Sequence, residues 1–125
     1  MPTTTEIAQK LVSHCQNHTE AEGLDTLYAT DAVSVEAMGP PGMDLVTKGV
    51  DGIKGKHAWW NESFEVHGGD IDGPYINGDT FSVIFEIDAT EKASGQRMQM
   101  REVAIYHVAD GKIVKEEFLA KPMDG

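Results

Sequence analysis

Cysteine is nearly absent: the 125 residues include one, Cys15, so no disulfide can form within the chain. The fold must stand on its buried core, as reducing compartments require, and the expected location is cytoplasmic. Basic residues are also scarce, with 10 Lys and Arg against 21 Asp and Glu and a formal net charge of −11. A surface this acidic repels phosphate backbones and anionic lipid headgroups, which argues against nucleic-acid and membrane partners. Long apolar runs are missing: no stretch approaches the ~20 residues of a membrane span. The N-terminus lacks the basic start and apolar run of a signal peptide. Metal and nucleotide signatures are missing too. There is no HExxH or paired-cysteine pattern, and Gly49-Val50-Asp51-Gly52 lacks the Lys-Ser/Thr of a phosphate loop. His14 and His18 share a helical face at i, i+4, but no further ligands accompany them, and they read as a surface pair. No Ser-His-Asp order or nucleophile elbow appears. No cofactor or metal is expected.

What is present is the balance of a soluble globular protein, 40% hydrophobic and 25% charged, in one domain over residues 1–125. Thr3 and Glu6 form a capping box, followed by Ile7, Ala8, Leu11, Val12 and Cys15 at helical spacing, so a first helix runs to about His18. A second, short helix starts at Thr19 and turns Leu24, Leu27 and Tyr28 inward. Ala32 to Glu36 reads as a strand and Met38 to Met43, with its two prolines, as a loop. A third helix begins near Val50 or Asp51. Ile53, His57, Trp60 and Phe64 form its apolar stripe, and Lys54, Lys56 and Glu62 fall off it. Four strands follow: Phe64 to Ile71, Thr80 to Thr90, Gln96 to Ala109 and Lys112 to Lys121, with turns at Asn77-Gly78-Asp79 and Asp110-Gly111. Segregated helices beside hairpin-linked strands give an α+β architecture with a mostly antiparallel sheet. Strands this long curve, and a curved sheet closed by helices encloses a pocket.

Alternation places Phe81, Val83, Phe85 and Ile87 on one strand face. Met98, Met100, Glu102, Ala104, Tyr106 and Val108 share another, and Val114, Glu116, Phe118 and Ala120 a third. Glu102 and Glu116 therefore stand among apolar neighbours. Burial disfavours a charged carboxylate and raises its pKa, which suits a general acid or a base poised near neutral pH. The opposing reading is an ion pair with Arg97, Arg101 or a helix lysine. Trp60, Phe81, Phe85, Met98, Met100, Tyr106 and Phe118 are the candidate lining of a pocket for a small apolar or aromatic ligand. Core packing accounts for the same residues. His57 reads as a packed core histidine, and Cys15, on a buried helical face, as an inert thiol.

The stretch Leu27 to Val33, Gly49 to Trp60, Gly78-Asp79-Thr80-Phe81, Gly95-Gln96-Arg97 and Tyr106 to Val114 together carry a resemblance. The chain resembles the SnoaL-like branch of the nuclear transport factor 2-like superfamily over nearly its whole length. The resemblance implies a cone-shaped barrel, a strongly curved sheet wrapped on N-terminal helices, with a pocket at the open end. It also implies a homodimer packed through the outer sheet face, where His67 and His107 are expected. In the related ketosteroid isomerase a general base sits just past the first strand, and the matching position is Glu36. The matching position for that enzyme's oxyanion tyrosine is Val12, which cannot donate. Its second donor has Ala104 and Glu102 as nearest choices, so steroid isomerisation itself is not expected. The expectation is cofactor-free proton transfer by Glu36, Glu102 or Glu116 on a small-molecule ligand. The alternative is a non-catalytic binding module or a dimeric assembly domain.

Overall fold

The computed structural model describes residues 1–39 and 41–120. Pro40, in the expected loop, and Lys121, the expected last strand residue, lie outside the described residues. Helix α1 spans Thr4–Gln16. Its capping box forms as the sequence implies: the Glu6 N–H donates to Thr3 Oγ1 at 3.1 Å, and the Thr3 N–H donates to Glu6 Oε1 at 3.4 Å. The helix stops short of His18, which takes a positive φ of 58° as the Thr19 N–H turns back to the His14 carbonyl at 2.9 Å. Helix α2 is Glu20–Leu27, and Tyr28 opens strand β1, Tyr28–Val35, instead of ending the helix. The aromatic ring favours the extended state, where it packs on a sheet face.

A three-residue strand β2, Val46–Lys48, has no counterpart in the sequence expectation. It pairs antiparallel with β1, and the Glu36 N–H to Leu45 carbonyl bond extends the pairing. Helix α3, Val50–Ser63, then leads into β3 (Phe64–Asn77), β4 (Thr80–Glu91), β5 (Arg97–Ala109) and β6 (Lys112–Ala120). The order across the six-stranded sheet is β2-β1-β6-β5-β4-β3. Only the β1–β6 pairing is parallel; the other four are antiparallel. Among the described residues β2 and β3 remain free edges, so the cone is an open one.

Expected and observed strands differ where the ladder is irregular. β3 does not end at Ile71 but continues to Asn77 through bulges between Val66 and Gly68 and between Asp72 and Tyr75. Bulges add a residue to one strand and bend it, so a Gly/Pro stretch that reads as a break becomes a curve. In β6 the register shifts between His107 and Val108, pairing Val108 with Ile113 and His107 with Lys115. Val114 is the extra residue, and Ile113, fully buried, takes the inner place expected for Val114. Strict alternation cannot see such a slip.

The core lies between the helices and one sheet face. Ile7, Ala8, Leu11 and Val12 of α1, Leu24 and Leu27 of α2 and Ile53 of α3 pack with Phe81, Val83, Ala104, Tyr106, Val108 and Ile113. Burying each large side chain stabilises the fold by roughly 1.5–3 kcal/mol. Among the described residues no helix is long and apolar enough to cross a membrane.

Candidate functional site

Residues directly opposite across a ladder share a face, so the pairings place the interior side chains in rows. Tyr106 opposes both Glu116 and Phe81, and Glu116 opposes Ser34. That is the deep row. In the next, Ala104 stands between Phe118 and Val83. In the third, Glu102 stands between Ala120 and Phe85, and Phe85 opposes Ile71. Two carboxylates of the sequence reading therefore occupy one face, two rows apart, with the small Ala104 between them.

Glu116 is only 2% exposed. The Tyr28 hydroxyl donates to its Oε2 at 2.7 Å, while Oε1 has no hydrogen-bond partner among the described residues. Burial raises the carboxyl above its ordinary pKa, and the Tyr28 hydrogen bond, His57, Lys56 and Ser34 pull the other way. Ser34 stands opposite Glu116 on the neighbouring strand, where its hydroxyl accepts from Lys56 at 2.7 Å. Tyr28 is held well above the usual tyrosine range, first by burial and then by the Glu116 charge, so it stays a donor.

Glu36, at the end of β1, is half-buried. Lys56 Nζ donates to its Oε1 at 2.6 Å and to Ser34 Oγ at 2.7 Å. The lysine and glutamate side chains are 16% and 28% exposed, so the pair is largely desolvated. The ammonium lies 5.9 Å from the Phe118 ring centroid. Glu102 is half-buried and makes no side-chain hydrogen bond or ion pair among the described residues. Burial pushes its carboxyl up to about 7, helped by the Glu36 and Glu116 charges and opposed by Lys56. The opposing expectation of an ion pair with Arg97 or Arg101 is not met: Arg97 pairs with Asp88 at 2.7 Å and Arg101 with Glu86 at 3.3 Å. Both arginines belong to the other face of β5.

The candidate lining residues divide by depth. Phe81 and Tyr106 are buried and stacked on each other, with centroids 4.7 Å apart at 15°, and belong to the core. Phe85 and Phe118 are half-buried against it. Met98 and Met100 are half-buried on the same strand face as Glu102. Trp60 stacks on Phe64 at 4.1 Å and 17°. Cys15 is held up to about 12 by burial and by the Glu20 and Glu116 charges, so its thiol is unreactive at neutral pH.

Lys56, expected off the inner stripe, instead points to Glu36 and Ser34 and is the chief difference from the sequence expectation. Ile53, Lys56, His57 and Trp60 fall at i, i+3, i+4 and i+7, so the spacing itself includes Lys56. Its charge hid the signal. Ser34 follows the β1 alternation of Ala32 and Glu36 in the same way. His57, read as a packed core residue, is half-buried on the side of α3 that acts on Glu116.

Hollows open on the surface among the described residues. One of about 410 Å³ is lined by Met43, Gly55, Lys56 and Trp59 and shares Lys56 with the carboxylate cluster. Another, about 250 Å³, is lined by Asp70, Ile71, Asp72, Ile84, Glu86 and Arg101. It lies mainly on the outer face, away from the interior carboxylates.

The SnoaL-like domain family matches residues 2–120. The chain belongs to that family. A candidate SnoaL-like polyketide cyclase from Mesorhizobium loti is 40% identical to this SnoaL-like chain, with a TM-score of 0.87 over 94% of this chain and 99% of that one. A nuclear transport factor 2-like protein from Burkholderia thailandensis shares the fold at 20% identity and a TM-score of 0.82, covering 97% and 92%. A protein of unknown function with a cystatin-like fold from Xanthomonas campestris does so at 18% identity and a TM-score of 0.75, also covering 97% and 92%. These likenesses agree with the α+β cone. No curated protein matches the chain.

Proposed function

We propose that this SnoaL-like chain binds a small apolar or aromatic molecule against the interior sheet face, where a glutamate moves a proton on it without a cofactor. The reaction class is isomerase, cyclase or dehydratase. The observation that carries the reading is Glu116: a carboxyl 2% exposed, with one oxygen bound to Tyr28 and the other unpartnered, facing the same interior as Glu36 and Glu102. A carboxylate kept in apolar surroundings costs stability, so its retention there marks a candidate functional group. Phe85, Met98, Met100, Phe118 and Trp60 supply the apolar walls. The polyketide cyclase name of the 40% identical neighbour supports this class of chemistry. A cytoplasmic location fits the single unreactive Cys15.

Titration with 2-naphthol, followed by NMR of methionine methyls and tryptophan indoles, tests the reading. The Met98, Met100 and Trp60 signals should move, and those of Met1 and Met38 should stay. Movement confined to Met43 and Trp59 would put the ligand in the hollow beside α3 and refute a site on the interior sheet face.

A second copy of the chain is the proposed partner. Leu119 is 49% exposed on the outer face, opposite Val103, which in turn opposes Ile84. This apolar row across three strands suits an isologous contact with itself. Leu119→Glu should halve the mass seen by light scattering at micromolar concentration; a wild-type protein already monomeric there would refute the dimer.

A further inference from the structure

Resting on the reading that the interior is the working site, we propose that Glu102, not Glu36, is the carboxylate that carries the proton, and that Lys56 is the positioning residue that withdraws Glu36 from that role. Three carboxylates share the interior, and their surroundings are not equivalent. A base needs a free lone pair and a path to the ligand. Glu36 Oε1 is bound by the Lys56 ammonium at 2.6 Å, a charge-assisted bond that occupies that oxygen, and the same ammonium is anchored at 2.7 Å by Ser34. Glu116 is sealed within the deep row and tied to Tyr28. Glu102 alone is untied among the described residues and still partly open. It has Phe85 beside it and Ala104 leaving space on its own strand.

The groups facing Glu102 come from three elements: Glu36 from β1, Glu116 from β6 and Lys56 from α3. Its partners across β4 and β3 are the apolar Phe85 and Ile71. Its proton affinity is thus raised first by burial and then by two like charges, and lowered by one opposite charge. In the step itself, the ionised Glu102 takes a proton from one ligand atom as the bond to hydrogen breaks and an O–H bond forms. It then returns that proton to a second ligand atom. The electron pair released at the first atom shifts within the ligand, so the cycle needs no oxidant, reductant or co-reactant.

The test is a pH titration of side-chain carboxyl carbons by NMR on the ligand-free protein, which is independent of whether 2-naphthol binds. The Glu102 carboxyl should titrate near neutral pH and disappear from that range in Glu102→Gln. Lys56→Met should move its midpoint upward by about 0.5 in pH, because the one cation facing it is lost. Lys56→Arg, which keeps the charge, should restore it. Direct assignment of the Glu102 carbon in the wild-type protein gives the first answer even if a variant fails to fold. A near-neutral carboxyl that survives Glu102→Gln and vanishes in Glu36→Gln would overturn the assignment. A Glu102 midpoint unmoved by Lys56→Met would overturn the role of the lysine.

Discussion

Gly69→Ala is expected to lower the stability of the protein by on the order of 3–5 kcal/mol, enough to leave a marginal domain largely unfolded. Gly69 sits just past the first bulge of β3 with φ of +156°, opposite Ile87. A Cβ built there falls inside the Glu86 carbonyl oxygen, 2.9 Å from the carbonyl carbon and 3.3 Å from the Ile87 Cα. All three are backbone atoms of the neighbouring strand, so no side-chain rotation can relieve the overlap. The β3–β4 ladder must open, or the bulge must move. The adjacent Gly68 provides the control, because a Cβ there meets nothing within 4 Å. Gly68→Ala should therefore be nearly neutral in urea denaturation. Equal losses at the two positions would show that the bulge geometry does not limit stability. The bulge bears on the site as well: two residues further along, Ile71 joins the row that contains Phe85 and Glu102.

The contrast between Gly68 and Gly69 also shows what a sequence withholds. The expected strand Phe64 to Ile71 runs through the pair without setting either glycine apart, because nothing in the sequence distinguishes a glycine that merely weakens a strand from one that admits a neighbouring carbonyl. Most of the rest was legible because local signals agreed with the tertiary outcome. The Thr3–Glu6 box capped α1, and Asp110-Gly111 joined β5 to β6. The alternation from Met98 to Val108 placed Glu102 and Tyr106 on the inner face. Legibility failed where pairing partners decide. β2 is three residues of ordinary propensity that become a strand only because β1 offers an edge. Ile113 displaces Val114 because β5 and β6 slip by one residue. The site failed for a related reason. Lys56 belongs inside only because Glu36 and Ser34 await its ammonium, and β1 is brought to α3 by the fold rather than by sequence proximity.

Glu102→Gln should make the protein more stable at alkaline pH and, on the proposed chemistry, inactive. The ordinary glutamate value of 4.5 rises to about 7 in the folded state, chiefly through burial. Between those values the native carboxyl holds a proton that the unfolded chain has released. Stability therefore falls as pH rises from about 4.5 to about 7, and the whole penalty is present above that window. Its full size is on the order of 3 kcal/mol, from about 1.4 kcal/mol for each tenfold change in proton affinity. Glutamine cannot ionise and carries no such penalty. Urea denaturation at pH 4 should give nearly equal stabilities for the two proteins. At pH 8.5 the variant should be the more stable by about 1–3 kcal/mol. Equal stabilities at both pH values would mean that Glu102 ionises as it would in water, and the proton-carrying role would fall with that result. Glu116→Gln should act in the same direction, since burial raises that carboxyl too. The two effects should add to less than their sum, because each ionised glutamate raises the proton affinity of the other. A carboxyl retained on an apolar face despite such a penalty opposes folding. Gain of stability with loss of turnover in the same variant would identify Glu102 as a residue kept for chemistry rather than for the fold.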